Sequence, residues 1–103
     1  MESRRSYPVF IMFNGRVFNE VRIDPHYEEN HSRYMNDEKI LRMIKKMNRL
    51  IVPAQRRNHQ WSYFEVNHED RDGRLYRVIL CSSENESYLG VINCYRIEKK
   101  YGF

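Results

Sequence analysis

Two apolar runs joined by Asn14-Gly15 constrain the fold of this chain more than any other feature. The runs, in PVFIMFNGRVFNEVRI, are rich in β-branched and aromatic residues, which favour strands. Asn-Gly suits a type I′ turn, because both central residues of that turn need a positive φ. The segment therefore predicts a β-hairpin with one buried face. That face would hold Val17, Val21 and Ile23, alternating with Phe18, Glu20 and Arg22.

The length and composition are typical of one globular domain. The 103 residues are 41% hydrophobic and 14% aromatic, which is enough for a packed core. We take residues 1–103 as a single domain, with residues 1–7 as a flexible basic arm. No apolar run reaches the ~20 residues of a membrane span, and the run at residues 9–13 is too short for a signal peptide. We therefore expect a cytoplasmic protein without membrane contact.

The cysteines and the charge balance indicate the compartment and the partner. Cys81 and Cys94 lie in apolar segments without CxxC spacing, so buried free thiols are favoured over a disulfide. Lys and Arg outnumber Asp and Glu by 18 to 14, giving a net charge of +4. Because the charges are well mixed along the chain, this balance favours a polyanionic partner only mildly.

Two helices are predicted after the hairpin. Asp24 can cap the first, and Pro25 suits its opening position because it has no N–H to lose there, so we expect a helix over residues 25–33. The second begins at Asn36. Its apolar stripe needs a sheet to cover it and consists of Ile40, Met43, Ile44 and Met47.

Three strand segments follow, at residues 61–66, 75–81 and 88–97. Because short polar loops connect them, we expect an antiparallel meander. The predicted fold class is α+β: an N-terminal β-hairpin, two helices and then a three-stranded antiparallel meander, in a two-layer sandwich.

Metal-site and hydrolase motifs are absent from the sequence. His26 and His31 are five positions apart, which on a helix is about 140° from alignment, so they cannot bind one ion as an i, i+4 pair does. His59 and His68 have no ligand spacing, and no Gly-x-Ser-x-Gly turn occurs. We expect neither a metal site nor a cofactor.

Basic and aromatic residues interleave near the end of the chain, a pattern that favours nucleic acid. Arginine pairs with phosphates, and tyrosine stacks on unpaired bases. An equally weighted alternative is that these side chains lie on the surface of a half-buried sheet and bind no nucleic acid. The candidate nucleic-acid contacts are Arg56, Arg57, Tyr76, Lys99 and Lys100.

The strand register leaves the surroundings of Arg77 open. If Cys81 pairs with Tyr88, Arg77 lies opposite Ile92 and shares a face with Cys94 and Arg96. A slip of one residue instead places Arg77 on the face of Asn93 and Tyr95.

RNA cleavage without a metal needs a base for the 2′-hydroxyl, an acid for the leaving oxygen, and cations around the phosphorane. Histidine changes its charge near neutral pH, and arginine offers a bidentate fork for phosphate. Both residue types stand among the candidates named here.

In residues 20–97, a helix with an embedded histidine precedes a charged helix and strands reading YRVIL and YLGVINCYR. This layout resembles the small ribonuclease toxins of the barnase–EndoU–colicin–RelE superfamily. The resemblance implies metal-independent RNA cleavage and a protein antitoxin or immunity partner. It implies His26 or His31 as the acid–base group, Arg77 as phosphate binder, and Tyr95 or Arg96 as the terminal-strand contributor. The leading β-hairpin and the loop at residues 52–60 depart from the family pattern.

Three classes of function therefore stay open. The first is a small ribonuclease of toxin type that acts by transesterification at the 2′-hydroxyl. The second is a non-catalytic nucleic-acid-binding module, and the third is a phage or mobile-element protein that binds and inhibits a host protein.

Overall fold

Eight strands and two short α-helices make up residues 4–97, the part of the chain that the computed structural model describes. In chain order the elements are β1 (Arg5–Tyr7), β2 (Ile11–Phe13), β3 (Arg16–Phe18), β4 (Glu20–Ile23), a 3-10 helix (Pro25–Tyr27), α1 (Glu28–His31), α2 (Asp37–Lys46), β5 (Arg56–Asn58), β6 (Trp61–Glu69), β7 (Leu75–Ser83) and β8 (Tyr88–Ile97). One sheet has the order β1-β4-β8-β7-β6-β5, and β2 pairs with β3 in a separate two-stranded sheet.

The predicted α+β fold class is wrong, because the protein is mostly β. Strands β6, β7 and β8 are antiparallel neighbours, but they are only part of a six-stranded mixed sheet. β4 pairs in parallel with β8, with Ile23 opposite Val91. The connection from β4 to β8 contains both helices and three further strands, and so is long enough for a parallel pairing.

The N-terminal segment extends the same sheet. Strand β1 pairs antiparallel with β4, with Tyr7 opposite Val21. Arg5–Tyr7, which fall in the predicted flexible arm, are therefore a paired strand, whereas residues 1–3 lie outside the described part of the chain.

The hairpin predicted at Asn14-Gly15 is confirmed. β2 and β3 pair antiparallel, and φ is 54° at Asn14 and 74° at Gly15, as a type I′ turn requires. The predicted buried face is wrong at its start, because Val17 is 46% exposed while Phe18 is 1% exposed. The alternation is interrupted at Asn19, where the chain leaves the hairpin and enters the main sheet.

Both helical regions start where the sequence predicts, although the first opens at Pro25 as a 3-10 helix. The Asp24 carboxylate accepts the backbone N–H of His26 at 2.9 Å, and the Asn36 side chain accepts that of Lys39 at 2.9 Å. The first helical region ends at His31, earlier than the predicted residue 33. The predicted stripe of α2 is buried in one core with side chains of the sheet: Ile40, Met43, Ile44, Met47, Phe64, Val66, Val78 and Leu80.

Asp37, in the first turn of α2, connects this helix to β1 and the 3-10 helix. Its carboxylate accepts hydrogen bonds from Arg5 Nε at 2.6 Å, Tyr7 Oη at 2.5 Å and Tyr27 Oη at 2.6 Å. Burial alone would raise the pKa of Asp37, but these donors outweigh it and lower that pKa to about 2. The ionised carboxylate thus holds an edge strand against the helices.

Both cysteines are free and buried, as predicted. Burial raises the pKa of Cys94 to about 12 and also raises the pKa of Cys81. Gly90 lies opposite Cys81 on the neighbouring strand, and a Cβ on Gly90 would approach Cys81 Sγ to 2.6 Å. The sulfur therefore occupies the space that any larger residue at position 90 would need.

Candidate active site and nucleic-acid interface

A β-bulge determines which residue faces Arg77. Strands β7 and β8 are antiparallel, and their register shifts between Ile79 and Leu80. Beyond the shift, Arg77 lies opposite Tyr95 and not opposite Ile92. Because directly opposed residues have their Cβ atoms about 4.5–5.5 Å apart, Arg77 and Tyr95 are neighbours on one face of the sheet.

Among residues 4–97, no strand pairs with the second half of β8 on the β4 side, and the first helical region packs there instead. β4 covers β8 only as far as Val91, and the chain that follows β4 continues as the 3-10 helix and α1. The imidazole of His31, at the end of α1, stands with its ring centroid 5.5 Å from that of Tyr95.

Tyr34 links His31 to the backbone of β8. Its hydroxyl lies 2.8 Å from His31 Nδ1 and accepts the backbone N–H of Arg96 at 3.0 Å. The guanidinium of Arg96 lies over the Tyr34 ring, 4.4 Å from its centroid. His31, Tyr34, Tyr95 and Arg96 therefore form one group, called the His31 cluster below.

The hydrogen bond to Tyr34 determines how the imidazole can act. With Nδ1 engaged by the hydroxyl, Nε2 is the nitrogen left for another molecule. When Nδ1 carries the ring proton and donates a hydrogen bond to the Tyr34 hydroxyl, Nε2 presents a lone pair. Tyr34 thereby orients the ring, as a base must be oriented toward the proton it removes.

Arg77 adjoins this cluster through Tyr95 only, because Arg96 pairs with Tyr76 on the other face of the sheet, and the Arg77 side chain is held by β6. Its Nε lies 3.2 Å from Glu65 Oε1 and donates to Asn67 Oδ1 at 3.3 Å. The Arg77 side chain remains 33% exposed. A guanidinium held in this way can still offer its outer N–H groups to a phosphate.

Not all predicted residues meet at this site. The side chain of His26 is 52% exposed, and its Nδ1 lies 3.1 Å from Glu29 Oε2. Arg56 lies over the Tyr63 ring, 4.6 Å from its centroid, and Arg57 is exposed on the same strand, β5. That strand is at the opposite edge of the sheet from β1, separated from β8 by β6 and β7.

Two other predicted contacts differ in their surroundings. Tyr76 is 6% exposed, so it is a core residue, with its ring centroid 6.5 Å from that of Tyr34. Lys99 and Lys100 lie outside the described residues.

Sequence reasoning did not identify Tyr34 as part of the site. Tyr27, four residues before His31, does not orient that histidine, because its hydroxyl donates to Asp37. The i, i+3 spacing of His31 and Tyr34 was the available indication, because side chains three apart share a helix face.

A cavity of about 650 Å³ lies between α2 and the β6–β7 connection. Its wall includes Tyr76, His68 and two carboxylates, Asp70 and Asp72. Burial and the nearby Lys46 lower the pKa of His68, so this imidazole is neutral at pH 7. The cationic residues in the wall are Lys39, Arg42, Lys45, Lys46, Arg71 and Arg74.

Three further findings concern residues 4–97 and the chain as a whole. No group of three or more His, Cys, Asp or Glu side chains in this part of the chain is arranged to hold a metal ion. None of its helices is both long enough and apolar enough to cross a membrane. Comparison of the chain with protein-family models, with curated proteins and with solved structures gives no match.

Proposed function

We propose that this protein is a metal-independent endoribonuclease of toxin type that cleaves RNA by transesterification at the 2′-hydroxyl. The observation that carries the proposal is the His31 cluster. It combines an oriented imidazole, a tyrosine hydroxyl and a guanidinium at one accessible edge of the sheet. These are the groups that the reaction requires.

In the proposed reaction, the 2′-oxygen of RNA forms a bond to the adjacent phosphorus while the bond from phosphorus to the 5′-oxygen breaks. His31 Nε2 takes the proton of the 2′-hydroxyl, and the Tyr95 hydroxyl protonates the leaving 5′-oxygen. Return of the proton from His31 to Tyr95 completes the cycle, and the two rings are neighbours, with their centroids 5.5 Å apart.

Arg96 and Arg77 have electrostatic roles in this scheme. Negative charge increases on the non-bridging phosphate oxygens in the transition state, and guanidinium groups stabilise such charge. Arg96 is fixed over Tyr34, and Arg77 lies across the strand pair from Tyr95. Tyr34 itself is a positioning residue, since it acts through His31.

The biological setting is part of the proposal. We propose a cytoplasmic location, which two buried free thiols favour because they suit a reducing compartment. The resemblance to ribonuclease toxins supports an antitoxin or immunity protein as partner, besides the RNA substrate.

Incubation of the purified protein with total RNA in EDTA tests the proposal. We expect RNA fragments that end in 2′,3′-cyclic phosphate, because the 2′-oxygen is the nucleophile. If the RNA stays intact and the protein only binds it in a salt-dependent way, the protein is a nucleic-acid-binding module and not an enzyme.

A second candidate function, a protein-binding factor, is favoured by one observation. The outer side of the hairpin is apolar and exposed: Phe10 is 82% exposed, and Met12 and Val17 form an exposed cross-strand pair. Exposed apolar patches on small proteins often mark protein interfaces. If the protein neither cleaves nor binds RNA, this function takes precedence.

A further inference from the structure

The cavity beside α2 concentrates positive charge on one side of the molecule. Six cationic side chains and two carboxylates contribute to its wall, whereas the whole chain has 18 basic and 14 acidic residues. Acidic and basic residues are mixed along the sequence, but at this surface the basic residues predominate. A concentration of like charge creates a field that attracts an anion.

The cavity cations are largely without carboxylate partners. Among residues 4–97, the one cavity cation in an ion pair is Arg42, whose guanidinium lies 3.8 Å from the Glu38 carboxylate. Both side chains of this pair are exposed. Lys39 donates to the backbone oxygen of Tyr34 at 2.8 Å. Lys45, Lys46 and their neighbours in the β6–β7 connection have no acidic partner within that part of the chain.

The two carboxylates in the wall do not cancel this charge. Asp70 Oδ1 accepts the backbone N–H groups of Asp72 and Arg74, each at 2.9 Å, so it serves the turn between β6 and β7. Asp72 is exposed. Both stand on the turn, whereas the cations of α2 form the opposite wall.

The cationic residues of α2 form a line that leads to the His31 cluster. Lys39, Arg42 and Lys46 recur at helical spacing on one side of α2 and extend over about 10 Å of its axis. At the near end, Lys39 binds the backbone of Tyr34, and Tyr76 of the cavity wall faces the Tyr34 ring. Tyr34 therefore separates the cavity from His31.

We infer that this cationic cavity binds the sugar–phosphate backbone of single-stranded RNA beside the bond that is cleaved. This inference rests on the proposed function, because it assigns to the RNA substrate a second contact surface. A positively charged groove that follows the backbone is the usual means of holding a single strand without reading its sequence. The cavity therefore contributes affinity, while the His31 cluster performs the chemistry.

Binding measurements on a variant that cannot cut test this inference. In a His31→Gln background, a fluorescent single-stranded RNA of mixed sequence is titrated at several salt concentrations. The substitution pair Lys45→Gln and Lys46→Gln should weaken binding about tenfold and reduce the slope of log K against log salt by about 1.4, or 0.7 for each lost phosphate contact. The pair Arg4→Gln and Arg49→Gln removes the same charge from exposed positions outside the cavity wall and should leave both values near those of the background protein.

Equal losses in the two pairs would overturn the inference, because the effect would then be one of net charge alone. Binding of polyglutamate in preference to RNA would also overturn it and would assign the cavity to an acidic protein. Failure of this inference can be told apart from failure of the proposed function. If the cavity residues matter for RNA binding but the wild type does not cleave RNA, only the enzymatic function is refuted. If the wild type cleaves RNA and the pair Lys45→Gln and Lys46→Gln leaves cleavage unchanged, only the RNA-binding role of the cavity is refuted.

Discussion

His31 and Tyr34 are joined by a 2.8 Å hydrogen bond between Nδ1 and Oη, and the same hydroxyl accepts the backbone N–H of Arg96. One tyrosine thus fixes a histidine on a helix relative to the backbone of a strand distant in sequence. Residues that meet from two elements in this way are suited to act together on one substrate.

Replacement of Tyr34 by phenylalanine should reduce RNA cleavage roughly 10- to 100-fold, because the imidazole loses its orientation. The pH dependence of the rate should also change, which loss of packing alone would not produce. The matched control is Tyr63→Phe, a tyrosine that contacts Arg56 on β5 instead of the His31 cluster. Equal rates for wild type and Tyr34→Phe would mean that Tyr34 does not position the base.

Acid should destabilise the protein through Asp37. Its pKa is about 2, below the ordinary value of 3.8, so its stabilising contribution is complete above about pH 4 and is lost as the pH falls toward 2. Asp37→Asn should lower the free energy of unfolding at pH 7 by up to about 2 kcal/mol, with some screening because Arg5 is 38% exposed. Urea titrations at several pH values measure this difference.

The difference between wild type and Asp37→Asn should shrink as the pH falls from about 4 to about 2. Asp72→Asn is the control, because Asp72 is exposed and should cost little at any pH. A constant difference at all pH values would show that the effect comes from lost packing instead of charge.

Gly90→Ala should destabilise the protein by about 1–3 kcal/mol, because the new methyl group must displace Cys81 Sγ. Cys81→Ala removes that sulfur, so the double variant should be more stable than the sum of the single changes predicts, by about 1 kcal/mol. Thermal or urea unfolding of the wild type, the two single variants and the double variant measures the four free energies that this comparison needs. Additive effects would mean that another neighbour limits position 90.

Local features of the fold could be predicted from the sequence, whereas the pairing of distant strands could not. Asn14-Gly15 identified the hairpin because its φ requirement is local, and the apolar period of α2 identified its buried side. The parallel pairing of Ile23 with Val91 joins segments far apart in the chain, and four residues of strand carry little information about their partner.

The candidate site shows the same division. His31, Tyr95 and Arg96 were all named from residue type, and they meet in the structure. Their arrangement depends on the bulge between β7 and β8, which brings Arg77 opposite Tyr95, and no residue pattern specifies that bulge. The cationic cavity was missed because its walls come from α2 and a turn that are separate in sequence.

The proposed role of His31 is tested most directly by comparing His31→Gln with His26→Gln in the cleavage of total RNA in EDTA. Both are histidines of the same helical region, but His31 belongs to the cluster with Tyr95 whereas His26 pairs with Glu29. With folding verified by circular dichroism, His31→Gln should slow cleavage by roughly 10²- to 10⁴-fold, the usual effect of losing an acid–base group, and His26→Gln should cut as the wild type does. Cleavage by His31→Gln at the wild-type rate would contradict the role of His31 as the base.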